Sequence, residues 1–193
     1  FSFDLPRLDD PEKKIKVDVI TDIWSTDIKP DGARFDMRAG AYASKLNTVS
    51  NLGVPGRIGC GTGKQVLHML RQDKLELGLA DDALNSVLYA AWLGGLLEFP
   101  LPASMLGAVD LKQYGITELS MKAKALLAPT IMDCNTKKAP KAHIGDFRID
   151  ATMKLLGQKM DVVLWATFTA GVKIEAKNGK LSVALTEIET IDT

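Results

Sequence analysis

From Met160 to Ala176, apolar residues occupy every second position without a break: Met160, Val162, Leu164, Ala166, Phe168, Ala170, Val172, Ile174 and Ala176. A period of two sends successive side chains to opposite faces of an extended backbone, so this segment reads as a strand with one apolar face. At about 3.3 Å per residue it extends over roughly 55 Å, about three times the usual strand length. A compact sandwich has little use for such a strand, and the rest of the chain has to be organised around it. Asn178 and Gly179 follow, a pair that takes the positive φ angles of a type I′ turn and favours a two-residue hairpin. The register is then set: Ala176 faces Leu181, Ile174 faces Val183 and Val172 faces Leu185, keeping the apolar side apolar across the pair. Beyond Leu185 the parity fails, since Glu187 falls on the apolar side, and a bulge or a strand end is expected there.

Four other segments share this pattern. Leu119, Met121, Ala123, Ala125 and Leu127 alternate with Ser120, Lys122 and Lys124; Phe147, Ile149, Ala151, Met153 and Leu155 alternate with Arg148, Asp150, Thr152 and Lys154. Near the start, Ile15, Val17, Val19 and Ile23 alternate with charged residues, as do Phe35, Met37, Ala39 and Ala41, with Pro30, Asp31 and Gly32 as the turn between them. Short connections between successive strands predict an antiparallel sheet of at least five or six strands, dry on one face and wet on the other.

One segment departs from this period. Leu84, Val87, Leu88, Ala91, Trp92 and Gly95 have helix-face spacing, with Asp81 or Asp82 at the N-cap position. The reading is a short strand over 75–80, a helix from Asp82 to roughly Leu93, and termination by Gly94 and Gly95. Past Val87 the helix carries few polar residues and so expects cover on more than one side. One apolar helix beside long one-faced strands predicts an α+β fold in which a long, strongly twisted antiparallel sheet wraps around the helix.

At 193 residues, 46% hydrophobic and 25% charged, the chain reads as a single domain over 1–193, with N-terminal strands and loops in 1–70 and the strand-helix-sheet region in 71–193. Its 24 basic and 24 acidic residues cancel, so no whole-protein field draws in nucleic acid, which is excluded as a partner class. The longest apolar runs, 87–97 and 162–166, fall short of the roughly 20 residues that span a bilayer. Phe1 rather than Met opens the chain, and the expectation is a processed chain or part of a longer one. Cys60 and Cys134 allow one disulfide or two free thiols and define no metal site; their Gly-, Asn- and Lys-rich surroundings favour the disulfide, and with it an oxidising compartment.

The run from Leu75 to Asn85, then Val87 to Trp92, then Gly95, Leu96 and Leu97, resembles a segment of the lipid-binding domains of the bactericidal/permeability-increasing protein and lipopolysaccharide-binding protein family, tubular lipid-binding proteins. In that family, as here, a strand enters a helix through an acidic pair (Asp81, Asp82), an Asn follows (Asn85), an aromatic sits further along (Trp92) and a Gly-Leu-Leu-like exit leads to the next strand. The downstream strand order is also similar, so the resemblance covers about three fifths of the chain, 75–193. Family domains continue after this hairpin into a second long helix and a closing strand, whereas this sequence ends at Thr193. The expectation is a fragment, or a groove completed by another chain.

The resemblance implies binding of lipid or another elongated apolar ligand between helix and sheet; no residue constellation points to catalysis, a cofactor or a metal, and the disulfide reading places the chain in an extracellular, periplasmic or envelope location. The expected lining is Leu84, Leu88, Ala91 and Trp92 of the helix with Met121, Met153, Leu164 and Phe168 of the sheet. A structural or interaction domain, whose apolar face is covered by a second copy or a partner chain, is the alternative; peripheral membrane contact fits either. Met69, Met105, Met121, Met132, Met153 and Met160 lie in or beside apolar faces and suit an irregular ligand or ordinary core packing alike.

Signatures of other chemistries fail in detail. In the Gly-rich stretch 59–64, Ile58 stands where a phosphate loop needs Gly and Gln65 where it needs Ser or Thr. Asp22, Asp27 and Asp31 lack calcium-loop spacing. His68 and His143 have no acid or nucleophile at a triad spacing. Lys137, Lys138 and Lys141, near Lys122 and Lys124, form the main basic concentration, either a solvated face or a headgroup contact.

Overall fold

The computed structural model describes residues 1–30, 32–46, 81–102, 110–131, 140–177 and 180–192. Among these, the chain is α+β and mostly antiparallel sheet: β1 Ser2–Pro6, β2 Lys14–Lys29, β3 Gly32–Ala43, α1 Asp81–Leu93, β4 Glu98–Leu101, β5 Ile116–Ala125, β6 Thr130–Ile131, β7 Lys141–Leu155, β8 Gln158–Lys177 and β9 Lys180–Asp192. A short 3-10 helix, Leu111–Tyr114, precedes β5.

The expected long strand is β8, 20 residues. It pairs with β9 in the expected register, Ala176 with Leu181, Ile174 with Val183 and Val172 with Leu185. The expected irregularity follows at once: the next pair is Ala170 with Ile188, so β9 bulges at the point where Glu187 breaks the alternation.

The strands form two sheets, which settles for β1–β3 a point the sequence leaves open, whether residues 1–70 complete the long sheet. β1-β2-β3 is a three-stranded sheet, and β4-β5-β7-β8-β9, with β6 added against β7, is a six-stranded one. Alternation dictates that a strand has a buried face but not what buries it, so both sheets carry the same sequence signature.

α1 lies on the three-stranded sheet. Ile15, Val17, Val19, Ala41 and Ala90 form the core there, with Phe3, Leu5, Val87 and Leu96 packed against it. The helix ends as its glycines require. Gly95 has φ 89°, its N–H donates to Trp92 O and the Leu96 N–H donates to Ala91 O, a Schellman arrangement that satisfies two terminal carbonyls. Gly94 sits where a Cβ would run into Ile15 Cγ2, so helix and sheet approach closely at that point. The expected strand over 75–80 lies outside the described residues.

Thirteen residues of helix reach about 20 Å, and β2 and β3 run beyond it. Every β2 residue after Val19 is exposed, and Ile23, Phe35 and Met37, expected to share the buried face, are 57–61% exposed. The ribbon also bulges at Trp24, over whose ring the Arg38 guanidinium lies at 3.1 Å.

Candidate apolar binding face

Pairing in the six-stranded sheet lines up rows of apolar residues from strand to strand. One row is Leu101, Met121, Ala151, Val162; the next is Phe99, Ala123, Ile149, Leu164. The rows that alternate with them carry the charge: Pro100, Lys122, Asp150, Val163 lies between the two, and Glu98, Lys124, Arg148, Trp165 lies beyond the Phe99 row. Because strand side chains alternate faces, the sheet has one apolar and one largely charged side. On the charged side Lys122 Nζ lies 2.6 Å from Glu98 Oε1, and Arg148 Nη2 lies 2.6 Å from Asp150 Oδ1.

On the apolar side the small residues are the covered ones. Ala123, Ala125, Ala142, Ala151 and Ala170 are at most 5% exposed, whereas Met160 is 42% and Leu164 53% exposed. Part of the face is thus alanine floor, and part is open. At the other end of the face, Phe168 meets Phe147 edge-on with centroids 5.3 Å apart, and Phe147 lies 6.4 Å from Phe99. A bulge in β7 between Ile144 and Phe147, where Asp146 has φ 48°, lets Ile144 and Phe147 share the face despite opposite parity.

The four sheet residues expected to line a site, Met121, Met153, Leu164 and Phe168, therefore share one face. Of the four helix residues, Leu84, Leu88 and Trp92 recur at i, i+4 and i+8 and form one stripe, half-buried throughout, while Ala91 is buried at 1%. The stripe meets the sheet at one end, where the Trp92 Nε1–H donates to Ala125 O at 2.8 Å. Met153 pairs with Leu119, six residues along β5 from Ala125, which is about 20 Å of strand. The expected lining is thus a helix stripe and a sheet face converging at Trp92. A shallow cleft of about 370 Å³ lies near the far end but on the charged side of the sheet, since Glu118, Ser120, Thr152, Lys154 and Lys159, which line it with Leu119 and Met153, belong to the alternate rows.

Two polar attachments hold this geometry. Asn85, fully buried, exchanges two hydrogen bonds with the Ile131 backbone and fixes α1 to β6. Arg7, on the β1–β2 connection, is 2.8 Å from Asp9 and donates through Nη2 to Glu98 O at 2.9 Å, tying the first sheet to the second. Burial, the largest influence on Glu98, pushes its carboxyl up; the Lys122 hydrogen bond and the charges of Lys124, Lys122 and Arg7 together bring it below the ordinary glutamate value.

Asn85 entered the sequence reading only as part of a motif, and Phe99, Phe147 and the Arg7–Glu98 tie were not singled out. The parity of Phe99 and Phe147 was visible, but the bulge that places Phe147 against Phe168 was not. Cys60, Cys134, His68, Lys137, Lys138 and the Gly-rich stretch lie outside the described residues, as does Asp31. His143 Nδ1 lies 3.3 Å from Thr169 Oγ1, and among the described residues no three His, Cys, Asp or Glu side chains are placed to hold a metal ion. Among them, too, no helix is long and apolar enough to cross a membrane. Comparison with models of known families, with curated proteins and with solved structures finds no match.

Proposed function

We propose that this chain binds an elongated apolar ligand, an acyl chain or a molecule of similar shape, along the apolar face of the six-stranded sheet beside the Leu84, Leu88, Trp92 stripe, the sheet curving about helix and ligand together. The observation that carries the reading is the exposure of Leu164 and Met160 on a face whose neighbouring rows are apolar from strand to strand. Leaving such a face in water is costly, and each methylene laid on it contributes about 0.8 kcal/mol, so a dozen give roughly 10 kcal/mol before the cost of association. Tight binding then needs no specific polar contact and no reaction. Native mass spectrometry of the purified protein, with organic extraction of the same sample, tests the reading. Near-stoichiometric co-purifying lipid supports it; a clean mass with no uptake of a fluorescent fatty acid or phospholipid overturns it.

A second reading, a structural or interaction domain, draws on the other sheet. Ile23, Ile28, Phe35 and Met37 share one face of the β2–β3 ribbon and are 57–75% exposed. A partner chain or second copy covering that face predicts a concentration-dependent mass in light scattering, lost in Phe35→Asp. An extracellular or periplasmic location rests on a Cys60–Cys134 disulfide, which thiol alkylation with and without reductant would establish.

A further inference from the structure

β3 is one edge of the three-stranded sheet, and among the described residues no strand pairs with its outer side. In an antiparallel ladder the N–H and C=O of successive residues point alternately to the two sides of the strand. Two contacts fix that alternation in β3. The Ser44 N–H, just past its end, donates back to Lys16 O of β2 at 3.0 Å, whereas the Ala41 N–H points outward and donates to Ser86 Oγ of α1 at 2.9 Å. Ala39, Met37, Phe35 and Ala33, at two-residue steps from Ala41, therefore direct their backbone groups outward as well. Ser86 caps the edge at Ala41, and from Gly32 to Ala39 every residue but Asp36 is exposed.

Natural sheet edges are commonly guarded by charge, by a proline or by a bulge. Here the bulge lies in β2, between Ile23 and Ser25, and β3 stays regular. Its charges alternate in sign along one face: Arg34, Asp36, Arg38. That order decides what the edge accepts. When two copies of β3 run antiparallel about a two-fold axis at Phe35, Phe35 faces its own copy, Ala33 faces Met37 and Arg34 faces Asp36. The outward N–H groups of all three odd positions then find carbonyls across the axis. An axis at Arg34 or Asp36 opposes like charges, and an axis at Met37 sets Ala33 against Ala41, whose N–H Ser86 already holds. Arg34 Nε lies 2.9 Å from its own Asp36 Oδ1, and the two side chains are still 43% and 42% exposed. In the pair, two arginines and two aspartates alternate around the axis, each carboxylate between two guanidinium groups.

We propose that this edge binds a second copy of the chain, β3 against β3 and antiparallel about Phe35, joining two ribbons into one four-stranded sheet. The inference rests on the interaction-domain reading and names its partner. A two-stranded ribbon standing clear of a core is marginal in water, and two further strands supply what it lacks. The Phe35 side chains, each 57% exposed, meet across the axis on the apolar face. Pairing one edge with itself consumes it in both copies, so assembly stops at the dimer. The ligand face belongs to the other sheet and is left untouched.

Light scattering of the full chain across the micromolar range tests this. The mass should climb to twice that of the monomer and stop there, while exchange of the Phe35 and Met37 amide protons slows with concentration. Ala33→Pro removes one outward N–H and leaves the β2 ladder, the apolar face and the charges in place, so it should weaken association about tenfold. Asp36→Arg opposes like charges in the same register and should weaken it at least as much, about tenfold or more. Urea unfolding verifies that both variants fold. A mass that stays monomeric, or one that grows without limit, overturns the proposal. So does undiminished association of folded Ala33→Pro and Asp36→Arg. If Ile28→Asp, on β2 and away from the edge, then abolishes association, the second copy lies over the ribbon face and the interaction-domain reading stands without the edge.

Discussion

Asn85 and Ile131 stand to each other as two residues of adjacent strands do, although one contributes a side chain and the other its backbone. The Ile131 N–H donates to Asn85 Oδ1 at 2.6 Å, and Asn85 Nδ2 donates to Ile131 O at 3.3 Å. Asn85 is wholly buried and the pair spans 46 residues of chain, so this carboxamide carries β6 hydrogen bonding onto the helix. Removing it leaves the Ile131 N–H without its partner in a dry site. Asn85→Ala should therefore cost about 2–4 kcal/mol in urea unfolding. Asn85→Asp should rescue little, because a buried carboxylate would accept the N–H but confront the Ile131 carbonyl. Stability of either variant close to wild type would remove this contact from any account of how α1 is held.

The close approach of Gly94 to Ile15 makes a second prediction. A methyl added at Gly94 meets Ile15 Cγ2, and Ile15 is 5% exposed and stiff at χ1, so it has nowhere to turn. Gly94→Ala should destabilise by roughly 1–3 kcal/mol through overpacking. Gly32→Ala, with nothing within 4 Å of the added methyl, should change stability by no more than about 0.5 kcal/mol. Thermal or urea unfolding of the two variants measures the contrast.

Acid should weaken the junction of the two sheets. Glu98 is held below its ordinary value of 4.5, and the hydrogen bond from Arg7 holds Asp9 below 3.8. A carboxylate whose pKa is depressed by folding contributes stability that is present above its unfolded value and is lost as pH falls through the lower folded one. The wild-type urea midpoint should thus drop from about pH 4.5 downward, and Glu98→Gln should show a shallower drop. Parallel pH profiles for wild type and Glu98→Gln would show that the carboxylate does not couple to folding.

What the sequence revealed follows from the range over which its signals act. The β8–β9 register, the bulge near Glu187 and the span of α1 are legible because alternation, an Asn-Gly pair and two helix-ending glycines act within a few residues. The division into two sheets is not, since Val17 and Ala123 are both buried members of alternating strands and differ only in distant partners. Nor is the exposure of Ile23, Phe35 and Met37 legible, because it depends on where α1 stops relative to a ribbon it does not adjoin in sequence. The candidate site divides in the same way. Parity places Met121, Met153, Leu164 and Phe168 on one face, but the approach of the helix at Trp92 and Ala125 is a long-range contact. The β7–β8 turn escaped notice because Leu156 stands where turn chemistry leads one to look for Asn or Gly.

Leu164 and its chain neighbour Val163 offer the sharpest test of the apolar face. They are similarly exposed, 53% and 45%, but their side chains point to opposite sides of β8. Leu164 continues the row of Phe99, Ala123 and Ile149, whereas Val163 continues that of Lys122 and Asp150. A carboxylate at either position stays near water, so Leu164→Asp and Val163→Asp should both fold, each within about 1 kcal/mol of wild type. Their effects on ligand should diverge. A charge at Leu164 would have to be desolvated beneath an acyl chain and should abolish uptake of a fluorescent fatty acid, while a charge at Val163 faces a surface already charged and should leave uptake intact. Equal loss in both variants would point to a general disturbance of β8, and normal uptake by a folded Leu164→Asp protein would place the ligand elsewhere.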